Sequence, residues 1–218
     1  YQKAIACYEK AIQINPDYAD AHNNLGLVLL LLSNFEKGFN EYEWRKKIPY
    51  YNYTYYKEND LKSLEWHGQD LSNKIILIFS EQGVGDIFQF ARYLYMIQNK
   101  YSTTLIFRTK KKLMYLFSKS KFKVISDEDP IPKHDYHQFL LSLPQIFYKK
   151  TKTVPKQINY ILKNEKPYSK WKDKLAKIKG IKVGINWQGN KNYRGDKFRS
   201  IPLNFFDQLF TINKINFI

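Results

Sequence analysis

Residues 74–93, with the sequence KIILIFSEQGVGDIFQFARY, constrain the fold more than any other part of this chain. They begin with a continuous apolar run of the length and composition of a strand covered on both faces, as in a parallel sheet. Gly83 and Gly85 follow, and they allow either a sharp turn or a close approach to a ligand. Apolar residues then recur at helical spacing from residue 87 to residue 94. The segment therefore predicts a strand, a glycine loop and a helix.

Asp86 stands where this predicted helix begins, and two hypotheses fit its position. Its carboxylate could cap the helix, or it could act on a ligand held at the carboxyl ends of parallel strands. Free backbone N–H groups and the helix dipole at this point favour an anionic group. The glycine pattern is GxGD and lacks the full GxGxxG spacing, so the motif alone does not decide between the two hypotheses.

The composition is that of a folded protein without a membrane span. Hydrophobic residues make up 44% and aromatic residues 17% of the 218 residues, enough for a sizeable core. No apolar run approaches the ~20 residues needed to cross a bilayer, and the longest candidate is residues 25–32. Cys7 is the single cysteine, which excludes an internal disulfide and a cysteine-rich zinc site within this sequence. Because His67, His134 and His137 are scattered and lack ligating partners, we expect no metal site.

The formal net charge is +16, from 36 lysine and arginine residues against 20 aspartate and glutamate residues. Lysine dominates and is spread over residues 110–179. Three interpretations are open: the composition of an AT-rich genome, attraction of phosphate-bearing substrates or lipid headgroups, and nucleic-acid binding. The even spread favours the first, so we do not expect a nucleic-acid partner.

Residues 1–48 predict a series of helices joined by short breaks. Small and aromatic residues at helical spacing form one face of the first helix, and a proline ends it. A leucine and a glycine mark the middle of the second helix. This pattern resembles the tetratricopeptide repeat, whose period is ~34 residues. The matching residues are Ala4, Tyr8, Ala11, Pro16, Leu25 and Gly26.

Two residues depart from the repeat pattern: His22 stands where tryptophan is favoured, and Arg45 where alanine is favoured. The resemblance implies one and a half repeats, cut at the start, whose helices bind a protein partner. Residues 49–73 predict a tyrosine-rich linker. Its aromatic side chains could stack on bases or sugars, or pack as an interdomain contact, and we expect the packing role.

The rest of the chain alternates predicted strands and helices, as in a doubly wound α/β sheet. Besides the first strand, which is predicted over residues 75–79, strands are predicted over residues 103–108, 122–126, 135–141, 181–187 and 215–218. A helix over residues 168–179 separates the third of these from the fourth. Because the chain stops within a predicted strand, we expect it to be part of a longer protein.

Four motifs then follow the repeat segment in order: SEQGVGDIFQFARY, DYHQFLLSLPQIF, VGINWQGN and RSIPLNFF. Together they resemble bacterial tetratricopeptide proteins with a glycosyltransferase-like domain of the GT-B fold, related to the heptosyltransferases. The resemblance implies a Rossmann-like acceptor-side domain over residues 74–179 and the truncated start of a donor-side Rossmann-like domain over residues 180–218. The implied activity is transfer of a sugar from a nucleotide-diphosphate sugar to a protein or a cell-envelope glycan. Because most of the donor-side domain is absent, we expect this chain by itself to show no transfer activity.

The resemblance also implies roles for individual residues. Asp86 stands where these enzymes carry an aspartate proposed as general base, which would take the proton of the acceptor hydroxyl. The implied substrate-binding residues are Glu81, Gln82, Gly83, Gly85 and Gln89. The implied donor-binding residues are Gly189, Asn190, Arg199 and Ser200. Neither a metal nor another cofactor is implied, because helix N-termini and basic side chains stabilise the departing diphosphate.

Other hypotheses stay open at this stage. Ile201 stands before Pro202, where the heptosyltransferases have tryptophan, which leaves the identity of the donor open. The main alternative is a non-catalytic scaffold whose repeats bind a partner and whose α/β part is a degenerate transferase. A third is a nucleic-acid binder driven by the net charge. The transferase hypothesis implies a cytoplasmic location or peripheral attachment at the inner membrane.

Overall fold

The structure is a computed structural model, and it describes residues 1–51, 61, 63–155, 160–161, 165–192 and 195–218. The chain divides into two compact units, Tyr1–Leu162 and Lys163–Ile218. Each of the two units contains a parallel sheet. Most of the tyrosine-rich stretch, at residues 52–60, lies outside the described residues, so its predicted packing role stays a prediction.

The first unit begins with three helices, and each packs on the next. They are α1 (Gln2–Ile14), α2 (Ala19–Leu31) and α3 (Phe35–Tyr42). A 3₁₀ segment, Glu43–Lys47, and a short helix α4, Pro49–Tyr51, follow. The predicted helical start of the chain is confirmed.

Glycine lets α2 and α3 approach each other closely. A Cβ atom at Gly26 would lie 2.6 Å from the backbone nitrogen of Tyr42. A Cβ atom at Gly38 would lie 2.9 Å from the side chain of Leu30. Both separations are too short for a side chain, so the spacing of the two helices depends on these residues.

Five parallel strands form the sheet of the first unit, in the order β1-β5-β2-β3-β4. The strands are β1 (Leu64–Glu65), β2 (Ile75–Phe79), β3 (Thr104–Thr109), β4 (Lys123–Ser126) and β5 (Tyr136–Phe139). From the central β2 the chain runs outward to β3 and β4, then returns to β5 on the other side of β2. The strand order therefore reverses between β2 and β5, which makes this the switch point of the sheet.

The two faces of the sheet are covered differently. Ile76 and Ile78 point into a large cluster that includes residues of the helices, whereas Leu77 and Phe79 point into a smaller one. Around this sheet lie α5 (Val84–Phe90), α6 (Arg92–Lys100), a 3₁₀ segment (Lys111–Phe117), a second one (Leu140–Ser142) and α7 (Leu143–Thr151). Among the described residues, the smaller cluster contains no helical residue, and Ile131 from the connection between β4 and β5 packs against it. The mixture of helices and a parallel sheet is confirmed.

Part of the predicted linker belongs to the sheet. β1 pairs with β5, and Trp66 and Leu71 are fully buried in the larger cluster. The indole N–H of Trp66 donates to the carbonyl of Gln69 at 2.9 Å. The core of the first unit therefore begins before residue 74, where we placed the start of the domain.

The second unit is small and has its own sheet. It contains α8 (Glu165–Ala176), β6 (Ile181–Val183), α9 (Asp207–Phe210) and β7 (Ile215–Phe217), with 3₁₀ segments at Asp196–Phe198 and Leu203–Phe206. β6 pairs in parallel with β7 and not with the first sheet. The unit starts at Lys163 and includes α8, whereas we had placed this helix in the preceding domain, residues 74–179.

Candidate functional site

The loop between β2 and α5, residues 80–83, turns sharply at Gln82. This residue has φ of 60°, whereas Gly83 has φ of −85° and Gly85 is not among the glycines with positive φ. Gly85 faces open space, because a Cβ atom there would meet nothing within 4 Å. Neither Gly83 nor Gly85 is therefore required by a sharp turn of the backbone at its own position. That the two glycines give a ligand access to the loop stays a prediction.

Asp86 caps α5 while its side chain remains half-exposed. Its Oδ2 atom accepts a hydrogen bond of 2.9 Å from the backbone nitrogen of Gly83, the N-cap residue. The capping hypothesis is thus confirmed in a modified form, with Asp86 at the third helical position. The other carboxylate oxygen, Oδ1, has no hydrogen-bond partner among the described residues.

Glu81, which we predicted to bind substrate, is buried in an ion pair with Arg45. Glu81 is 4% exposed and Arg45 is 0% exposed. Nε and Nη2 of Arg45 donate to the two carboxylate oxygens of Glu81 at 3.2 and 2.8 Å. The backbone nitrogen of Leu141 donates to the same carboxylate at 3.1 Å. Glu81 therefore serves the structure of the loop, and its carboxylate is not open to a ligand.

The remaining donors of Arg45 are also satisfied. Nη1 donates to Glu43 at 2.8 Å and to the carbonyl of Tyr42 at 3.2 Å, and Nη2 donates to the hydroxyl of Ser142 at 2.8 Å. All five N–H groups of the guanidinium thus have an acceptor. Burial alone would lower the pKa of Arg45, but Glu81 and Glu43 outweigh it and raise the pKa, so the side chain stays charged. Burial raises the pKa of Glu43, but Arg45 and Lys46 outweigh it, and the net pKa is lowered.

This network lies at the switch point of the sheet. Glu81 follows β2 and Ser142 follows β5, the two strands between which the order reverses. Parallel sheets commonly bind ligands in the crevice at this place. Here Arg45, from the segment that closes the repeat helices, lies between the two loops.

Sequence reasoning did not assign Arg45 to the site, but a signal was present. Arg45 and His22 are the two residues that depart from the repeat pattern, and both have specific partners. The ring of His22 stacks on Trp44, with 3.8 Å between ring centroids, and its Nε2 lies 2.9 Å from the carbonyl oxygen of Pro16. Each departure from the repeat pattern therefore coincides with a specific contact in the structure.

Gln82 is held by neighbours on both sides of the loop. Its Nε2 donates to the hydroxyl of Tyr42 at 2.6 Å, and its carbonyl accepts from Nζ of Lys110 at 3.1 Å. Lys110 also borders an open cleft of about 560 Å³. The cleft is lined by Lys110, Lys111, Lys112, Asp127 and Glu128. With three lysines against two carboxylates, it suits a small anionic group better than a cation.

Gln89 lies one helical turn after Asp86 and lines a different cavity, an apolar pocket of about 180 Å³. The pocket is formed by residues of the repeat helices and of α5 and α6 together with Val154. Tyr93 lines it as well, and burial raises the pKa of Tyr93 to about 12, so its hydroxyl stays protonated. Gln89 thus lines a pocket that the other four predicted substrate-binding residues do not line.

Three of the four predicted donor-binding residues come together within the second unit. The hydroxyl of Ser200 accepts from the backbone nitrogen of Gly189 at 3.1 Å and donates to Asp196 at 2.7 Å. Nε of Arg199 donates to the same Asp196 oxygen at 3.2 Å. Asn190 instead accepts from the backbone of Asn192. Asp196 is buried and organises the group, although the sequence did not indicate it.

His137 of β5 has structural partners. His137 is buried, and its Nδ1 lies 2.7 Å from the hydroxyl of Ser63. Burial lowers the pKa of His137, and Glu65 offsets part of this effect. Within the part of the chain that the structure describes, no group of three or more His, Cys, Asp or Glu side chains could hold a metal ion.

Comparison with known proteins identifies only the start of the chain. A search of curated proteins and a search of solved structures each gave no match. Among the described residues, no helix combines the length and the apolar character needed to cross a membrane. Residues 1–33 match a family model described as TPR repeat, and the helices at the start of this chain are accordingly tetratricopeptide helices, a type of repeat suited to binding proteins.

Proposed function

We propose that this chain belongs to a glycosyltransferase that moves a sugar from a nucleotide-diphosphate sugar to a hydroxyl group of a protein or cell-envelope glycan. The observation that carries the proposal is the half-exposed carboxylate of Asp86 beside Gly85, which faces open space at the carboxyl edge of a parallel sheet. Open α/β sheets bind their ligands at this edge. The tetratricopeptide helices would bind a protein partner.

In this proposal Asp86 is the general base. The amide of Gly83 holds Oδ2 and so orients the carboxylate, while Oδ1 is left to meet the acceptor. The acceptor oxygen attacks the anomeric carbon, its proton passes to Asp86, and the bond from that carbon to the diphosphate breaks. The diphosphate leaves with the electron pair. A positioned base of this kind typically contributes ~10²–10⁴-fold to the rate.

Within the second unit, a separate group of residues would bind the diphosphate of a donor. Arg199 contributes a positive charge that Asp196 holds in place, whereas the Gly189 amide and the Ser200 hydroxyl already donate within the group and support its shape. The side chain of Arg199 is 50% exposed, so a ligand can reach it. Preorganised donors and charges of this kind stabilise developing negative charge.

Calorimetric titration with a panel of nucleotide-diphosphate sugars tests the proposal. We expect one donor to bind, and we expect Arg199→Ala to weaken that binding at least ~10-fold, because a charge-assisted contact to phosphate is lost. Lys182→Ala is the matched control, since it removes an exposed positive charge from β6 of the same unit. Binding by none of the donors would contradict the proposal.

A second candidate is a non-catalytic interaction protein with the α/β part as its scaffold. It is favoured by the burial of Glu81 with Arg45 and by the capping bond of Asp86, since both carboxylates have structural partners. This candidate predicts that no donor binds, while a protein partner binds the tetratricopeptide helices. It also predicts that Asp86→Asn leaves partner binding unchanged.

A further inference from the structure

The repeat segment contacts the loop after β2 directly. Arg45 pairs with Glu81, and Tyr42, the last residue of α3, accepts a hydrogen bond from Gln82. Two consecutive residues of the loop are therefore held by two residues that close the repeat helices. Both of these are buried, Arg45 completely and Tyr42 to 8% exposure.

Gln82 needs support because its backbone has φ of 60°. This left-handed conformation is strained for a residue with a Cβ atom and persists where the surroundings impose it. The next residue is Gly83, whose amide donates to Asp86 at 2.9 Å. The backbone of Gln82 thus sets the direction of the amide that orients the carboxylate of Asp86.

We propose that Tyr42 and Arg45 are positioning residues for Asp86. They fix Glu81 and Gln82, and through them the Gly83 amide and the carboxylate of the base. The catalytic consequence rests on the proposed function, whereas the effect on the loop does not. The tetratricopeptide helices are then a structural part of the α/β site in addition to any partner that they bind.

Tyr42→Phe tests the proposal, because it removes one hydroxyl and keeps the buried ring. We expect hydrogen exchange of the Gly83 amide to accelerate roughly three- to tenfold, the effect of one side-chain hydrogen bond on local opening. Tyr148→Phe is the matched control. It removes a hydroxyl from the same junction, where the ring of Tyr148 packs on Phe39 at 5.7 Å, and it should leave the exchange unchanged.

Gln82→Gly provides a second test, since glycine adopts φ of 60° without strain. In that background the loop no longer depends on the hydroxyl of Tyr42. Tyr42→Phe should then alter exchange of the Gly83 amide by less than about twofold. If Tyr42→Phe accelerated exchange equally with Gln82 and with Gly at position 82, the proposal would be overturned, because the Tyr42 hydroxyl would not act through Gln82.

Measurements of donor binding and of transfer activity distinguish a failure of the positioning role from a failure of the proposed function. In the full-length protein, Tyr42→Phe should lower kcat and leave the Kd of the donor unchanged, because the base is displaced and the donor site is not. If the unmodified chain binds no donor while exchange at Gly83 responds as expected, the proposed function fails and the positioning role stands. If exchange at Gly83 does not respond, the positioning role fails whatever the activity.

Discussion

Arg45 joins the repeat helices to the sheet through a side chain that is completely buried. Arginine is rarely buried unless its charge is paired, and here every N–H group has an acceptor. The departure from the repeat pattern indicated that Arg45 has a specific role, but it did not indicate which residues Arg45 contacts. Glu81 is 36 residues away in the sequence and Ser142 is 97 residues away. No periodicity connects positions that far apart, so this part of the site could not be predicted.

Replacing Arg45 with methionine should lower the free energy of unfolding by about 3–5 kcal/mol, because Glu81 would stay buried without its countercharge. Arg45→Lys should also destabilise the fold, since one ammonium group cannot replace a bidentate guanidinium. Urea unfolding measures both losses. Lys37→Ala is the control: it breaks an exposed pair with Glu9 and should lower stability by less than about 1 kcal/mol. Equal losses for Arg45→Met and Lys37→Ala would contradict the prediction.

Asp86→Asn separates the two roles of this residue. Asparagine keeps a side-chain oxygen for the amide of Gly83 but cannot take a proton from the acceptor. In the full-length protein, transfer should fall by ~10²–10⁴, while the free energy of unfolding changes by less than about 1 kcal/mol. Initial rates with saturating donor, together with thermal unfolding, measure both effects. A variant that keeps its rate but loses stability would leave Asp86 with the capping role alone.

His137 should make stability depend on pH. Because burial lowers its pKa below the ordinary 6.5, the folded chain binds this proton less readily than the unfolded chain. Its contribution is therefore present above about pH 6.5 and is lost as the pH falls through the folded pKa. Denaturant unfolding from about pH 7 to about pH 5 should show this decline, and His137→Gln should flatten it. His67→Gln, which changes an exposed histidine, should retain the decline.

Among the structural elements, strands with a continuous apolar run were predicted best. β2 covers the five predicted residues, and β3 and β4 begin one residue later than predicted. β1 could not be predicted, because it has two residues and exists through its pairing with β5. β6 was predicted to reach residue 187, but it ends after three residues, and β7, with which it pairs, is equally short. The turn at Gln82 was missed because glycine is the residue expected at positive φ.

The packing of α2 on α3 should make Gly26→Ala destabilising. Alanine is favoured over glycine within a helix by about 1 kcal/mol, but its Cβ atom would lie 2.6 Å from the backbone of Tyr42. Because a backbone atom of the neighbouring helix cannot move aside alone, we expect a net loss of about 1–2 kcal/mol in urea unfolding. Gly38→Ala is the matched comparison and should lose less, since its nearest neighbours are side-chain atoms of Leu30. A more stable Gly26→Ala variant would contradict the close approach.

For the whole molecule, the core of the sheet extends to the end of the repeat segment, at Tyr42. Tyr42 of α3 belongs to the same buried cluster as Trp66 and the strands. Rings of α3 and α7 meet where Phe39 contacts Tyr148. The division between compact units falls after Leu162 and not near residue 48, where the repeat pattern ends. The similarity of residues 1–48 to a repeat suggested a separate domain. A repeat pattern contains no information on contacts with the domain that follows, so these contacts could not be predicted.

The buried contacts of Tyr42 and Arg45 with the sheet domain predict that α2 and β2 open together. In hydrogen exchange with increasing urea, the amides of Leu29 and Leu77 should converge on one free energy of opening, as expected for one cooperative unit. In Arg45→Met, the amide of Leu29 should open at a lower free energy than that of Leu77, because the ion pair between repeat segment and sheet is lost. Val183 of β6 is the control, and its opening should be the same with and without the substitution. Different opening free energies for Leu29 and Leu77 in the unmodified chain would contradict this prediction and would make the tetratricopeptide helices an independent module.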